Sequence, residues 1–114
     1  GSGPFLHSLS NLEDNKLKTG ISKYLAQNIG LQIYPNPFSQ ESKVFYELNT
    51  PSHVKIEIYN LLGEKICVLF EGYEQRGIHN VILNPGHIHN VNGLYYLRIQ
   101  VNESAAVRKF MFSK

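Results

Sequence analysis

From Leu31 onward the chain alternates apolar and polar residues with a period of two, the pattern of strands that bury one face. Leu31 to Tyr34 reads as a short strand stopped by Pro35-Asn36-Pro37, where two prolines remove two backbone donors and push their predecessors into extended geometry. Val44, Tyr46 and Leu48 alternate with Lys43, Phe45 and Glu47. After the turn cluster Asn49 to Ser52, Val54, Ile56 and Ile58 alternate with Lys55, Glu57 and Tyr59. Asn60 to Gly63 is short enough for a hairpin loop, with Gly63 suited to positive φ. Glu64 to Phe70 reads as the next strand and Glu71 to Arg76 as a polar loop. Gly77 opens a strand over Ile78 to Leu83, Asn84 to Asn92 is a long loop, and Gly93 launches Leu94 to Val101. Asn102 to Ser104 is a turn before a last strand over Ala105 to Ser113.

Seven short strands at regular spacing, with almost no helix between them, predict an all-β antiparallel sandwich. No connection offers the dozen or more residues that a parallel crossover requires. Upstream, residues 5 to 29 are polar, with Leu6, Leu9 and Leu12 three apart and Leu17, Ile21 and Leu25 four apart. Ser10 and Glu13 fit a capping box. The segment reads either as one or two short helices or as a partly ordered linker. The opening Gly-Ser-Gly has the look of an expression scar or of a cut from a longer chain. Two regions result: a scar with linker or short helices over 1–30, and a packed domain over 31–114.

Composition narrows the chemistry. At 114 residues the chain supports one core and leaves no room for a deep cofactor cleft beside it. One Asp and eight Glu leave little material for paired-carboxylate hydrolysis or a hard-metal cage. A net charge of +2 is too weak to point to nucleic acid or to a membrane surface. No apolar run approaches the ~20 residues of a spanning helix, so stable membrane insertion is not expected. A single cysteine excludes an intramolecular disulfide. Cys67, inside the apolar run Ile66 to Leu69, reads as a small buried hydrophobe and not as a nucleophile. His87 and His89 are two apart, but no nearby side chain completes a metal shell, and a polar loop tip is the better reading. There is no Gly-rich phosphate loop and no Ser-His-Asp arrangement. The residues predict no catalysis, no metal and no cofactor.

The punctuation carries more information than the composition. Leu31-x-Ile33-Tyr34-Pro35-Asn36-Pro37-Phe38 opens the domain, Ile56 to Gly63 sits in its middle as IEIYNLLG, and Gly77-x-His79-x-Val81 follows. Gly93-Leu94-Tyr95-Tyr96 and a terminal Lys109-Phe110-Met111-Phe112-Ser113-Lys114 close it. This ordered set resembles the type A C-terminal sorting domain of cargo proteins of the type IX secretion system, over residues 31 to 114. The resemblance implies an immunoglobulin-like sandwich that serves as an address label and catalyses nothing. It implies a fused N-terminal cargo domain, an inner-membrane signal at the far end of a longer parent, and passage through the periplasm to the surface or medium of a Gram-negative cell. Its implied partners are the outer-membrane translocon and a sortase-like peptidase that cuts the label off.

On that basis Arg108, Lys109, Phe110, Met111, Phe112 and Lys114 are the candidate recognition residues. Physically, a terminal edge strand exposes backbone groups that a receptor captures by strand addition, and flanking cations steer the encounter; the same cations also deter unwanted pairing. Tyr34, Pro35, Asn36, Pro37, Gly63, Gly77, Gly93 and Tyr95 are motif residues with structural duties. Tyr95, near the start of its strand, is placed to tie its hydroxyl to backbone across a sandwich corner. The competing reading is a fibronectin-like adhesion, glycan-binding or spacer module. In that reading Phe45, Tyr59 and Tyr73 form a stacking face, although they equally suit a second packed sheet.

Overall fold

A computed structural model describes residues 29–114 of the chain. The expectation of helices or a linker over residues 5 to 29 falls outside the described residues, Ile29 excepted. Seven strands follow in order: β1 (Gln32–Tyr34), β2 (Ser42–Leu48), β3 (Ser52–Tyr59), β4 (Lys65–Glu74), β5 (Gly77–Leu83), β6 (Gly93–Val101) and β7 (Ser104–Phe112). They form a three-stranded sheet, β1-β2-β5, and a four-stranded sheet, β4-β3-β6-β7. Every ladder between named strands is antiparallel. The described residues therefore form an all-β sandwich of seven strands.

The period-two pattern builds this directly. Val44, Tyr46 and Leu48 of β2 point inward and face Val54, Ile56 and Ile58 of β3 with Leu97 and Ile99 of β6, all at most 2 % exposed. Burying each such aliphatic side chain stabilises the fold by about 1.5–3 kcal/mol. No disulfide reinforces this core, since Cys67 is free. Its thiol packs against the core, and burial pushes its pKa up, which keeps it protonated and unreactive.

Two expectations need correction. The polar stretch Glu71 to Arg76 is not a loop: β4 continues to Glu74, pairing Gly72 with Val54 and Glu74 with Ser52. Its polar residues lie on an edge strand, whose outward positions need no apolar character. At Gly72 a side chain would lie 3.3 Å from the Phe70 ring, so the missing Cβ makes room for an aromatic folded over the strand. The second correction is smaller. The long loop Asn84 to Asn92 contains a 3₁₀ turn over Pro85–Ile88, which buries Ile88 at the sandwich end. His87 belongs to that turn, its Nδ1 accepting the Asn84 N–H at 3.1 Å.

The β3–β4 hairpin is closed by Asn60, whose Oδ1 accepts the N–H groups of Leu62 and Glu64 at 2.9 and 3.0 Å. Gly63 sits there with φ 84°, a conformation open to glycine and strained for other residues.

On the outer side of the four-stranded sheet, Glu57 is only 3 % exposed. Lys65 Nζ approaches its carboxylate at 2.9 Å, Arg98 Nη1 at 3.4 Å and Lys55 Nζ at 3.7 Å. Burial pushes the Glu57 pKa up, but the Lys65 hydrogen bond and the three cations together outweigh it, and the net shift is downward. A charge that alternation marks as outward is thus covered by the long side chains around it.

Candidate recognition site

The two ends of the motif set meet at one seam of the sandwich. β1 is an edge of the three-stranded sheet and β7 an edge of the four-stranded sheet. After Tyr34 the chain leaves β1 through Pro35-Asn36-Pro37, with both X-Pro bonds cis, and crosses to β7. There Phe38 forms a parallel bridge with Phe112. The Phe38 N–H donates to the Met111 carbonyl and the Ser113 N–H to the Phe38 carbonyl, both at 3.0 Å. Asn36 extends the same edge: its Oδ1 accepts the Met111 N–H at 2.9 Å, and its Nδ2 donates to the Lys109 carbonyl at 3.4 Å. The Ser42 hydroxyl holds the turn by donating to the Pro35 carbonyl at 2.7 Å.

The aromatic rings beneath this seam do the packing. Phe38, Phe110 and Phe112 are each at most 2 % exposed. Phe38 meets Phe112 at 5.1 Å and Phe110 at 6.1 Å between ring centroids, both tilted, and Phe110 stacks on Tyr95 at 5.5 Å. Such pairs add about 0.5–1.5 kcal/mol each beyond the area they bury. The Tyr95 hydroxyl donates to the Val91 carbonyl four residues back, at 2.5 Å, tying the start of β6 to the preceding loop. Burial raises the Tyr95 pKa, so the hydroxyl stays a donor at neutral pH. Gly93 starts this strand at φ 151° and Gly77 starts β5 at φ 132°. Nothing lies within 4 Å of the side chain either would gain, so backbone conformation, and not space, selects glycine there.

The six candidate recognition residues therefore divide. Phe110 and Phe112 point into the core, where their rings pack the strand and present no surface on the folded domain. Arg108 reaches across the seam, its Nη2 donating to the Leu31 carbonyl at 3.1 Å, which gives it a clamping duty as well as a charge. Lys109 and Lys114 are exposed and Met111 is half-buried, with the Lys114 N–H fixed by Asn92 Oδ1 at 2.9 Å. Register sets Lys109 beside Tyr96 and Met111 beside Leu94 on the outer face. Leu94 and Tyr96, visible in the sequence only as part of the Gly93-Leu94-Tyr95-Tyr96 motif, stand beside the terminal lysines, while the contact from Asn92 and the clamp made by Asn36 were not foreseen. Leu94 and Tyr96 were readable as the outward positions of β6 once β6 and β7 were paired. The Asn36 clamp spans 75 residues and leaves no local signal.

Among the described residues, no group of three His, Cys, Asp or Glu side chains is placed to hold a metal. The aromatics proposed as a stacking face do not share one. Phe45 lies on the three-stranded sheet, whereas Tyr59 pairs with Lys65 and Tyr73 with His53, six positions apart along β3 and thus roughly 20 Å apart. Tyr34 is 66 % exposed on the outer face of the three-stranded sheet.

Fold and seam together define an antiparallel β-sandwich whose C-terminal strand is anchored by its first strand connection and carries exposed cations. Comparison with family models places residues 32–113 in the secretion system C-terminal sorting domain family, and the chain belongs to it. It is a type IX secretion sorting signal for a cargo protein in transit to the surface or exterior, and the family is not itself catalytic. Among solved structures, dimeric latent PorU from Porphyromonas gingivalis is similar in fold, with a TM-score of 0.61 and 18 % identity. The match covers 72 % of this chain and 9 % of that one, so this chain spans under a tenth of that relative's length. A comparison with curated proteins found no match.

Proposed function

We propose that the secretion machinery reads this domain through the outward side of the β7 terminus, with Lys109, Met111 and Lys114 as contact residues and Leu94 and Tyr96 beside them. The observation that carries this reading is the division of labour along β7. Phe110 and Phe112 lock the strand into the core while Lys109 and Lys114 stay exposed, and Asn36, Phe38 and Asn92 hold the backbone between them. A charged surface held by a fixed backbone loses little conformational entropy on binding.

Strand addition is correspondingly narrowed. The outward backbone groups at Met111 and Ser113 are already bonded, so a receptor meeting the folded domain engages side chains there and reaches strand edge only nearer Ala105 and Val107. The outer-membrane translocon is the reader, the periplasm is the compartment where reading occurs, and a sortase-like peptidase separates label from cargo before Leu31, between Phe5 and Asn28. Cleavage there leaves the packed domain over 31–114 whole.

The test is a reporter carrying an inner-membrane signal and this domain, expressed in a strain with type IX secretion. Replacing Lys109 and Lys114 by Glu inverts the exposed charge without touching the core, and export should fall at least tenfold while the purified domain unfolds at the wild-type urea midpoint. Unchanged export by that variant contradicts the assignment of the contact surface. Mass spectrometry of the released reporter reads the second claim, and a C-terminus inside the sandwich contradicts it.

A further inference from the structure

The outer face of the three-stranded sheet has no role in the reading above, yet it concentrates exposed apolar surface. Its outward residues are Gln32 and Tyr34 on β1, Lys43, Phe45 and Glu47 on β2, and Ile78, Asn80 and Ile82 on β5. Ile78 is 77 % exposed and Ile82 47 %. The ladder sets Lys43 beside Ile82, Phe45 beside Asn80 and Glu47 beside Ile78. Phe45 thus has both isoleucines as diagonal neighbours, and among the described residues no ion pair engages Lys43 or Glu47.

We propose that this face pairs with the same face of a second copy of the chain. The face is complementary in charge to itself under two-fold symmetry. Two identical sheets stack face to face about an axis lying in the interface plane. With the axis perpendicular to the strands and through Phe45, β2 lies on its own copy running the opposite way. Lys43 then faces the second copy's Glu47, Glu47 faces its Lys43, Phe45 meets Phe45, and Ile78 meets Ile82. Sheets packed about 10 Å apart are within reach of a lysine and a glutamate extended toward each other. With the axis along the strands, β2 would place Lys43 on Lys43 and Glu47 on Glu47, which like-charge repulsion disfavours. The order Lys-x-Phe-x-Glu therefore selects one of the two arrangements.

The face is small. Three strands about 4.8 Å apart, with outward residues over about five positions, offer well under the ~800 Å² per partner of a standard interface. The dimer is accordingly weak, with a dissociation constant on the order of 100 µM.

Sedimentation equilibrium of the 114-residue chain between about 10 µM and 1 mM, at low salt, tests this. Wild type should shift from monomer to dimer across that range. Lys43→Glu leaves four carboxylates facing one another and Glu47→Lys leaves four ammonium groups, so each variant alone should self-associate at least tenfold more weakly. Mixed in equal amounts, the two should recover association, because every facing pair is again opposite in sign. That recovery also shows that both variants are folded. A wild-type monomer at every concentration overturns the proposal. So does a Lys43→Glu variant that associates as well as wild type, or a mixture that gains nothing over its components.

Discussion

Replacing Asn36 by Ala should release the terminal end of β7 without dissolving the sandwich. The structure shows what is removed: a 2.9 Å acceptor for the Met111 N–H and a weaker 3.4 Å donor to the Lys109 carbonyl, both exposed. A hydrogen bond of the first kind contributes about 0.5–1.5 kcal/mol net, and the long second one adds less, so the loss is about 1–2 kcal/mol. Because water can reach these groups, no buried donor is orphaned and the full desolvation penalty does not apply. The loss should appear locally, since the Phe38 bridge and the buried rings still hold the strand. Amide hydrogen exchange followed by NMR gives the readout. The Met111 amide should exchange roughly tenfold faster in Asn36→Ala, while amides in the centre of β3 and β6 change severalfold less. Asn36→Asp, which keeps the Oδ1 acceptor and loses the donor, should retain most of the Met111 protection. Met111 exchange at the wild-type rate in Asn36→Ala would rule out the clamp, and equal acceleration of all amides would mean that Asn36 supports the fold at large.

Glu57→Gln should destabilise the domain by about 1–3 kcal/mol, because three cations lose their common carboxylate, and urea unfolding at pH 7 measures it. The folded pKa of Glu57 is depressed, so its contribution is present above the unfolded value of about 4.3 and is lost as pH falls through the folded value; the variant's stability should therefore decline less between pH 5 and acid than the wild type's. Tyr95→Phe keeps the ring stacked on Phe110 and removes the bond to Val91, and should cost about 1 kcal/mol in the same urea assay. Cys67 should react slowly with a thiol-specific disulfide reagent at pH 7 and rapidly once urea unfolds the chain, as its raised pKa and packed setting require.

What the sequence made legible was whatever has a local period. Val54, Ile56 and Ile58 could only be one face of a strand, and Tyr95, Leu97 and Ile99 another; both are core. The extension of β4 was hidden because Glu71, Gly72 and Glu74 occupy an edge, where burial imposes no apolar pattern. Glu57 looked like any outward charge, and only pairing β3 with β4 and β6 brings Lys65 and Arg98 onto it. The same limit governed the recognition site. The lysines of the terminal strand were visible as charges, but whether each neighbour faced solvent or core depended on register. The clamp from Asn36 to Met111 joins residues that no sequence window contains together.

On the proposed reading, this sandwich suffices as an export label. The most direct measurement fractionates cells that express a periplasm-targeted reporter fused to residues 31–114, in a type IX-competent strain and in one lacking the outer-membrane translocon. Reporter should reach the surface or the medium of the first strain and be retained in the periplasm of the second. A reporter that stays in the periplasm of the competent strain, or one that escapes equally from both, would contradict it.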